Sequence, residues 1–229
     1  MSLISPLVTS GFIDFSDQIS EKTRSLFYLN KKDQNHQMIA ESRGISSTIL
    51  AIPEQIHSNE ITCIDAPGEY FGIDGLITDN PEIILTIKVA DCVPVYLYES
   101  TSRIIGLVHS GWRGTVGGII SNAVRKMLEI GAKENEISVF LGPAIGFCCY
   151  LVDEEVAGHF NKKAKKKLEN GKWNVGLHNQ IYLQLTRLGI PSANIRFSDI
   201  CTYESIDCHS YRRDGTQAKR MVAYMGMKS

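Results

Sequence analysis

Three residues of the sequence, His57, Cys92 and His109, carry side chains well suited to chemistry. Two imidazoles and a thiolate suit Zn²⁺, and three protein ligands leave the open coordination position that a catalytic zinc needs. The same side chains also suit a cysteine nucleophile with a histidine base. The gaps between them are 35 and 17 residues, which match no short metal-binding motif. Residue type alone therefore leaves a second interpretation, a buried structural cysteine and two histidines satisfied by backbone hydrogen bonds.

The segment HSGWRGT, residues 109–115, is typical of a loop that approaches a ligand. Its glycines flank Trp112 and Arg113 and allow a close backbone approach. A helix is predicted to follow, so its first amides can receive an anion, and Arg113 can add two parallel hydrogen bonds to phosphate. The alternative is a simple strand-to-helix turn in which Arg113 pairs with a carboxylate such as Asp91.

A pair of arginines, Arg212 and Arg213, lies in the segment SYRRDG near the end of the chain. On extended backbone, adjacent side chains point to opposite faces. We therefore expect one of the two to reach a cleft while the other lies in solvent.

A polar break interrupts IKVADCVPVYLY, residues 87–98, which otherwise has the β-branched and aromatic composition of a strand. Proline cannot donate to a sheet ladder, so Pro94 predicts an edge, a bulge or a strand end. The break is therefore either a simple kink in the strand or a place where the sheet opens and presents Asp91 and Cys92. Polar islands of this kind at strand ends are typical of sites carried on a rigid sheet.

The predicted strands and helices that position these residues follow one another along the chain without strict alternation. The pattern predicts one α/β (α+β) domain over residues 1–229, with a central mixed β-sheet or sandwich flanked by helices. The run KKAKKK, residues 162–167, is expected to be the solvated face of a helix. Strands are predicted within 47–65, 83–98, 103–109 and the last fifth of the chain, and helices at 34–44, 114–132 and over most of 153–190.

The composition is that of an ordinary soluble globular protein, with 43% apolar residues, 21% charged residues and a formal net charge of −1. This balance gives no electrostatic argument for nucleic acid or a membrane as a partner. The first residues lack a basic segment and no apolar run approaches the roughly 20 residues of a membrane span, so we expect a cytoplasmic protein. The six cysteines are then thiols, and Cys148 and Cys149 are expected as small apolar side chains of the core.

The sequence resembles the YfiH-like family, also called the laccase-domain or multicopper polyphenol oxidase family and related to bacterial purine nucleoside phosphorylases. The motifs that carry the resemblance occur in the family's order from residue 55 to the C-terminus: QIHSN, DGLIT, ADCVPVYLY, VHSGWRGT, LGPAIGFCCYLV, CTYE and SYRRDG. The resemblance implies a YfiH-like (cytotoxic necrotizing factor-like) fold. It also implies that His57, Cys92 and His109 are the catalytic metal ligands, with Zn²⁺ favoured over Cu²⁺.

The activity implied by the resemblance is that of a zinc-dependent purine nucleoside phosphorylase acting on adenosine, inosine and methylthioadenosine, with adenosine deamination as a side activity. A purine nucleoside and phosphate are the expected partners of a monomer or homodimer. Arg113 and Arg212 are the expected phosphate-binding residues. Gln55 and Asp91 are expected to orient the metal ligands, Asp91 because metal-bound histidines usually donate their second N–H to an acceptor.

The chain departs from the family's pattern near its N-terminus. Where the family carries Asn-Arg, this chain has Asn35 and His36, so His36 or Arg43 is expected in place of a substrate-binding arginine. Three other functions stay open: a copper-dependent laccase-like polyphenol oxidase, a metal-free hydrolase that uses Cys92 with His109, and a non-catalytic zinc-binding or partner-binding domain. Six scattered histidines could hardly build a multicopper set.

Overall fold

The computed structural model of the protein describes residues 12–14, 22–28, 36–41 and 44–228. Within these ranges the strands are β1 (Phe12–Asp14), β2 (Thr23–Tyr28), β3 (Leu50–Glu54), β4 (Ile61–Cys63), β5 (Gly68–Phe71), β6 (Gly75–Thr78), β7 (Ile84–Val89), β8 (Val93–Glu99), β9 (Ile104–Ser110), β10 (Ile137–Leu141), β11 (Leu151–Val152), β12 (Lys165–Lys167), β13 (Trp173–Val175), β14 (Ile195–Phe197) and β15 (Met221–Met227). The helices are α1 (His36–Glu41), α2 (Trp112–Val116), α3 (Ile119–Glu129), α4 (Glu154–Gly158), α5 (Leu177–Arg187) and α6 (Tyr211–Asp214).

Two six-stranded sheets form the centre of the described structure. The first has the order β1-β2-β15-β7-β3-β5 and the second the order β14-β10-β8-β9-β6-β4. Both are mixed, because β7 is parallel to β3 and antiparallel to β15, and β6 is parallel to β4 and antiparallel to β9. A smaller antiparallel sheet has the order β11-β13-β12. The predicted mixed α/β class is confirmed.

The two large sheets face one another across a shared apolar core. On β8, Tyr96 and Tyr98 pack in that core, whereas Val95 and Leu97 pack with the apolar residues of α3 and α5 on the other side. This is the two-residue period of a strand that is buried on both faces. On the outer face of the first sheet, Ala40 of α1 belongs to a third apolar cluster. The layers therefore run helix, sheet, sheet, helix. No helix within the described ranges has the length and apolar character that crossing a membrane would require.

The polar break in residues 87–98 marks the passage of the chain from one sheet to the other. β7 ends in the first sheet at Val89, and β8 begins in the second sheet at Val93. Pro94 is the second residue of β8, and pairing with β10 begins only one residue later, at Val95. Pro94 therefore lies near the start of a strand, close to one of the three positions predicted for it, and already pairs with His109 of β9. The loop from β3 to β4 also passes from the first sheet to the second. His57 and Cys92 therefore both lie on loops that connect the two sheets.

Several predicted elements differ from the structure. The helix predicted over 114–132 is divided into α2 and α3, because Gly118 adopts a φ of 89° between them. The segment 153–190 is helical only in part, and the prediction of a helix at KKAKKK is wrong. Its second half is β12, where Lys165 and Lys167 lie 5.1 and 5.3 Å from the centre of the Trp173 ring on β13. These contacts and the pairing with β13 outweigh the helix propensity of lysine.

His178 at the start of α5 is expected to make the stability of the fold sensitive to acid. Its Nε2 donates to the carbonyl of Gly142 at 3.0 Å, and burial lowers the pKa of His178 from 6.5 to about 4. Between these pH values the unfolded chain binds a proton that the folded chain does not. The free energy of unfolding is therefore expected to fall by up to about 3 kcal/mol as the pH drops through this window. Urea unfolding between pH 7 and pH 4 measures this slope.

The matched variant for that experiment is His178→Gln, whose amide can still donate to the Gly142 carbonyl but does not titrate. A shallower fall in the free energy of unfolding is expected for the variant than for the wild type. Identical slopes in the two proteins would contradict the assignment.

Candidate metal centre

The structure brings His57, Cys92 and His109 together, and we call them the histidine–cysteine cluster. Their candidate ligand atoms all lie within 4.8 Å of one another, and the two imidazole rings meet edge to face with centroids 4.8 Å apart. His109 is buried at the end of β9, Cys92 is half-buried and His57 is exposed. One side of the cluster is therefore accessible, as an open coordination position requires.

Two residues at the sheet crossings adopt backbone conformations that side chains disfavour. His57 has a φ of 62° and Asp91, next to Cys92, a φ of 82°. Positive φ values at residues other than glycine persist only where the surroundings hold them, and they concentrate at functional sites. Here, hydrogen bonds from neighbouring residues hold the loop that carries His57 and the loop that carries Asp91.

Asp74, which was not predicted as a site residue, holds both histidine-bearing segments. Its buried carboxylate accepts the Nδ1–H of His109 at 2.7 Å and the backbone N–H groups of Ile56, His57 and Ser58 at 3.2, 3.0 and 2.6 Å. Burial raises the pKa of Asp74, but the hydrogen bonds from His109 and Ser58 outweigh burial and lower it to about 2. The Nε2 atom of His109 is then left for a metal, the arrangement typical of metal-binding histidines.

Asp91 and Gln55 were expected to orient the histidines, and the structure corrects both expectations. The Asp91 carboxylate instead accepts from the Thr202 hydroxyl at 2.6 Å and from the Arg212 backbone N–H at 2.7 Å. The Gln55 amide donates to the carbonyl of Lys88 and accepts its N–H, each at 2.7 Å. Each side chain therefore fixes a loop that carries a ligand rather than the ligand itself.

The electrostatics of the cluster favour a thiolate. Burial alone raises the pKa of Cys92, but attraction to His109 and hydrogen bonds with both histidines outweigh burial and lower it from 9.0 to about 6. Burial in turn lowers the pKa of His109, but Cys92 and Asp74 raise it to about 9. A thiolate thus lies against an imidazolium near neutral pH, and a metal ion can replace the proton between them. The donor atoms fit Zn²⁺, and a set of two histidines and one cysteine is also used for copper.

The glycines of HSGWRGT allow α2 to pack directly on the cluster. A Cβ atom at Gly111 would lie 2.9 Å from the Cys92 sulfur and 3.4 Å from the His57 ring, and one at Gly114 would lie 2.7 Å from the Ser58 carbonyl oxygen. Only glycine permits this approach. The motif therefore closes one side of the cluster.

A cavity of about 910 Å³ opens beside the cluster and is lined by its three residues. Aromatic walls are provided by Trp112, Tyr150 and Tyr211. The cations outnumber the carboxylates in the lining, and one of those carboxylates, that of Asp91, already has two hydrogen-bond donors. The cavity therefore suits a small anionic ligand that carries a flat ring. Its charged lining, apart from the histidines, consists of Lys88, Arg113, Arg212 and Arg220 with Glu54 and Asp91.

The predicted arginines differ in their placement. Arg113 and Arg212 line the cavity, with guanidinium groups 4.5 Å from the Trp112 ring centre and 5.0 Å from that of Tyr150. Arg213 was expected on extended backbone, but the segment is helix α6. Its guanidinium donates to backbone carbonyls within residues 202–208 and pairs with Asp214 at 2.8 Å. Arg213 therefore stabilises a loop and does not lie in the cavity lining.

His36 lines the cavity from α1. It is buried, and its Nδ1 atom has no hydrogen-bond partner among the described residues. Burial and the nearby Lys88 lower the pKa of His36 to about 3, so the ring is neutral at pH 7. This unpaired nitrogen is a candidate contact for a bound ligand. Arg43 lies outside the described residues.

Comparison with known proteins identifies relatives over most of the chain. A family model described as multi-copper polyphenol oxidoreductase laccase matches residues 30–228. Purine nucleoside phosphorylase YlmD of Geobacillus stearothermophilus is 35% identical over 166 residues, which are 69% of this chain and 61% of the relative's length. Adenosine deaminase RL5 of an unknown prokaryotic organism is 32% identical over 201 residues, 80% of this chain and 76% of that protein. The crystal structure of the Bacillus licheniformis hypothetical protein YfiH matches with a TM-score of 0.86 at 25% identity, covering 99% of this chain and 98% of that one. These matches confirm the YfiH-like resemblance and fold expected from the motifs.

Proposed function

We propose that this chain, which belongs to the family described as multi-copper polyphenol oxidoreductase laccase, is a zinc-dependent purine nucleoside phosphorylase. The proposed catalytic domain covers residues 1–229, the proposed substrates are adenosine, inosine and methylthioadenosine, and deamination of adenosine is a side activity. The observation that carries the proposal is the histidine–cysteine cluster beside a cavity lined by four cations. The names of two relatives, a purine nucleoside phosphorylase and an adenosine deaminase, support it.

Phosphorolysis of a nucleoside requires specific interactions from the cavity. Phosphorolysis forms a bond from a phosphate oxygen to the anomeric carbon of ribose and breaks the bond from that carbon to the purine nitrogen, which leaves with the bonding electrons. Positive charge develops on the ribose and negative charge on the leaving base. The site must therefore hold phosphate, stabilise the purine as it leaves and exclude water that would compete with phosphate.

We assign phosphate binding to Arg113 and Arg212, whose guanidinium groups can each donate two hydrogen bonds. Lys88 and Arg220 add positive potential in the same cavity. The metal, when bound, supplies a Lewis acid to the substrate or to the phosphate.

We assign purine binding to the aromatic wall and to His36. Burial and the nearby Cys92 raise the pKa of Tyr150 to about 12, so its hydroxyl stays protonated and can donate to the base. The neutral ring of His36 offers Nδ1 to an edge of the purine. Asp74 keeps His109 in the tautomer that leaves Nε2 free for the metal.

The proposal is tested by incubating the purified protein with inosine in the presence and absence of phosphate. Hypoxanthine and ribose 1-phosphate are expected in equal amounts, and only when phosphate is present. Release of free ribose, or a rate independent of phosphate, would exclude a phosphorylase. With adenosine as substrate, chromatography separates adenine, formed by phosphorolysis, from inosine, formed by deamination.

Replacing Arg113 with alanine is expected to raise the KM for phosphate by roughly 10- to 100-fold, because hydrogen bonds to charged groups contribute about 1.5–3 kcal/mol. The KM for inosine is expected to change much less. Initial rates at varied phosphate and saturating inosine give these constants. Arg125→Ala is the matched control, since Arg125 lies on the surface of α3 and pairs with Glu129. An equal increase of both KM values in Arg113→Ala would argue against a phosphate-specific role.

One observation favours a second candidate, a hydrolase in which Cys92 is the nucleophile and His109 the base. The lowered pKa of Cys92, about 6, is what such a nucleophile needs. Activity that survives complete metal removal and is lost on alkylation by iodoacetamide would support this candidate. The laccase alternative has less support, because neither group of candidate metal ligands in the described part of the chain contains more than two histidines.

A further inference from the structure

A second group of metal-binding side chains lies outside the cavity lining, on two neighbouring loops. The sulfur atoms of Cys148, Cys149 and Cys201 and a carboxylate oxygen of Glu204 lie within 4.8 Å of one another. We propose that these four residues, here called the thiol cluster, form a second metal site that binds Zn²⁺. The proposal concerns metal binding alone and does not rest on the proposed phosphorylase activity.

The donor atoms of the thiol cluster match a structural zinc site. Three thiolates and one carboxylate complete a tetrahedral set, and thiolate sulfur selects zinc over magnesium or calcium. In a tetrahedral site with Zn–S distances of about 2.3 Å, two sulfurs on one ion lie roughly 3.8 Å apart. Small side-chain rotations therefore suffice to seat an ion among these groups. The expectation of a small core side chain is wrong for Cys148, which is exposed, whereas Cys149 is half-buried and packs against the apolar core.

The sulfur atoms of the thiol cluster lie close to one another. The sulfurs of Cys148 and Cys149 are 2.8 Å apart. Several thiolates this close repel one another, and a divalent cation among them removes the repulsion.

The backbone at Gly146 lies directly against the sulfur atoms of Cys148 and Cys201. Its N–H donates to the Cys201 sulfur at 3.2 Å, a contact of the kind that orients metal ligands. A Cβ atom at this position would lie 3.1 Å from the Cys148 sulfur and 3.2 Å from that of Cys201, so glycine leaves the space that the sulfurs use. The two loops are joined by a β-bridge between Ala144 and Cys201. The cluster is thus supported by backbone structure on both sides.

The thiol cluster lies behind one wall of the cavity. Tyr150, which follows Cys149, lines the cavity beneath the guanidinium group of Arg212. Thr202, which follows Cys201, donates to Asp91 beside the histidine–cysteine cluster. An ion in the thiol cluster would therefore tie together the two loops that position this wall, which is the role of a structural metal.

Zinc content tests the proposal. Protein purified anaerobically under reducing conditions is loaded with excess ZnSO₄, desalted and analysed by mass spectrometry for bound metal. The double variant Cys148→Ser/Cys201→Ser is expected to hold one zinc ion per chain fewer than the wild type. The control Cys63→Ser, which removes an exposed thiol outside both clusters, is expected to hold as much as the wild type. Equal zinc content in the double variant and the wild type would overturn the proposal.

A measurement on the wild-type chain covers the case in which the double variant fails to fold. Zinc-loaded and metal-free protein are treated with iodoacetamide, and the labelled peptides are identified by mass spectrometry. Zinc is expected to protect Cys148, Cys149 and Cys201 from alkylation at least tenfold, while Cys63 reacts equally in both samples. Equal labelling of the three thiols with and without zinc, or their oxidation to a disulfide under the loading conditions, would overturn the proposal.

Discussion

Replacing Cys92 with serine is expected to lower kcat for phosphorolysis of inosine by roughly a thousandfold, which corresponds to about 4 kcal/mol of transition-state stabilisation. A serine hydroxyl stays protonated at neutral pH, whereas Cys92, with a pKa of about 6, supplies a thiolate to the metal. The variant should therefore lose the metal of the histidine–cysteine cluster together with the activity. Steady-state kinetics and zinc analysis on the same preparation measure both.

The matched control for Cys92→Ser is Cys63→Ser, which makes the same chemical change at an exposed cysteine outside the cavity lining. Its activity and zinc content are expected to equal those of the wild type. Full activity in Cys92→Ser would contradict the proposed site. Loss of activity with the zinc retained would instead indicate that Cys92 acts as a nucleophile.

Replacing Asp74 with asparagine is expected to weaken metal binding by roughly 10- to 100-fold and to lower the free energy of unfolding by about 3 kcal/mol or more. The buried carboxylate of Asp74 accepts from His109, from three backbone N–H groups and from the Ser58 hydroxyl. An asparagine amide cannot replace these acceptors, because its NH₂ group would face other donors. Chelator competition measures the metal affinity, and urea unfolding of the metal-free protein measures stability.

Asp79→Asn is the matched control for Asp74→Asn, since Asp79 is an exposed carboxylate at the end of β6. Its free energy of unfolding is expected to change by less than about 0.5 kcal/mol. If Asp74→Asn is destabilised but binds zinc as tightly as the wild type, Asp74 supports the fold without orienting His109, and the account of the site is wrong on that point.

The residues of the histidine–cysteine cluster could be predicted from the sequence. Their side chains are typical metal ligands, and each lies in a motif of the family's ordered set. Asp74 was missed, although it lies within the motif DGLIT, because an aspartate before glycine is also an ordinary turn signal. Lys88 and Arg220 were missed as cavity residues for a similar reason. Each lies in or next to strand-like sequence with no surrounding motif, and only the folded sheets bring them to one cavity.

The fold class followed from mixed helix and strand patterns, but the division into two sheets did not. The segment 87–98 has strand composition on both sides of its polar break, and sequence pattern alone does not show that β7 and β8 enter different sheets. The run KKAKKK was misassigned because lysines suit a solvated helix, whereas here β12 is specified by its pairing with β13. Pairing of this kind is a tertiary effect that outweighs local propensity.

The central claim, that the metal of the histidine–cysteine cluster supports phosphorolysis, is tested most directly by a zinc titration of the metal-free Cys148→Ser/Cys201→Ser variant. This variant retains His57, Cys92 and His109 as its remaining group of candidate ligands among the described residues. Phosphate-dependent release of hypoxanthine from inosine is predicted to rise in proportion to bound zinc and to level off at one ion per chain. Full activity without metal, or a titration left unchanged by the further substitution Cys92→Ser, would contradict the claim.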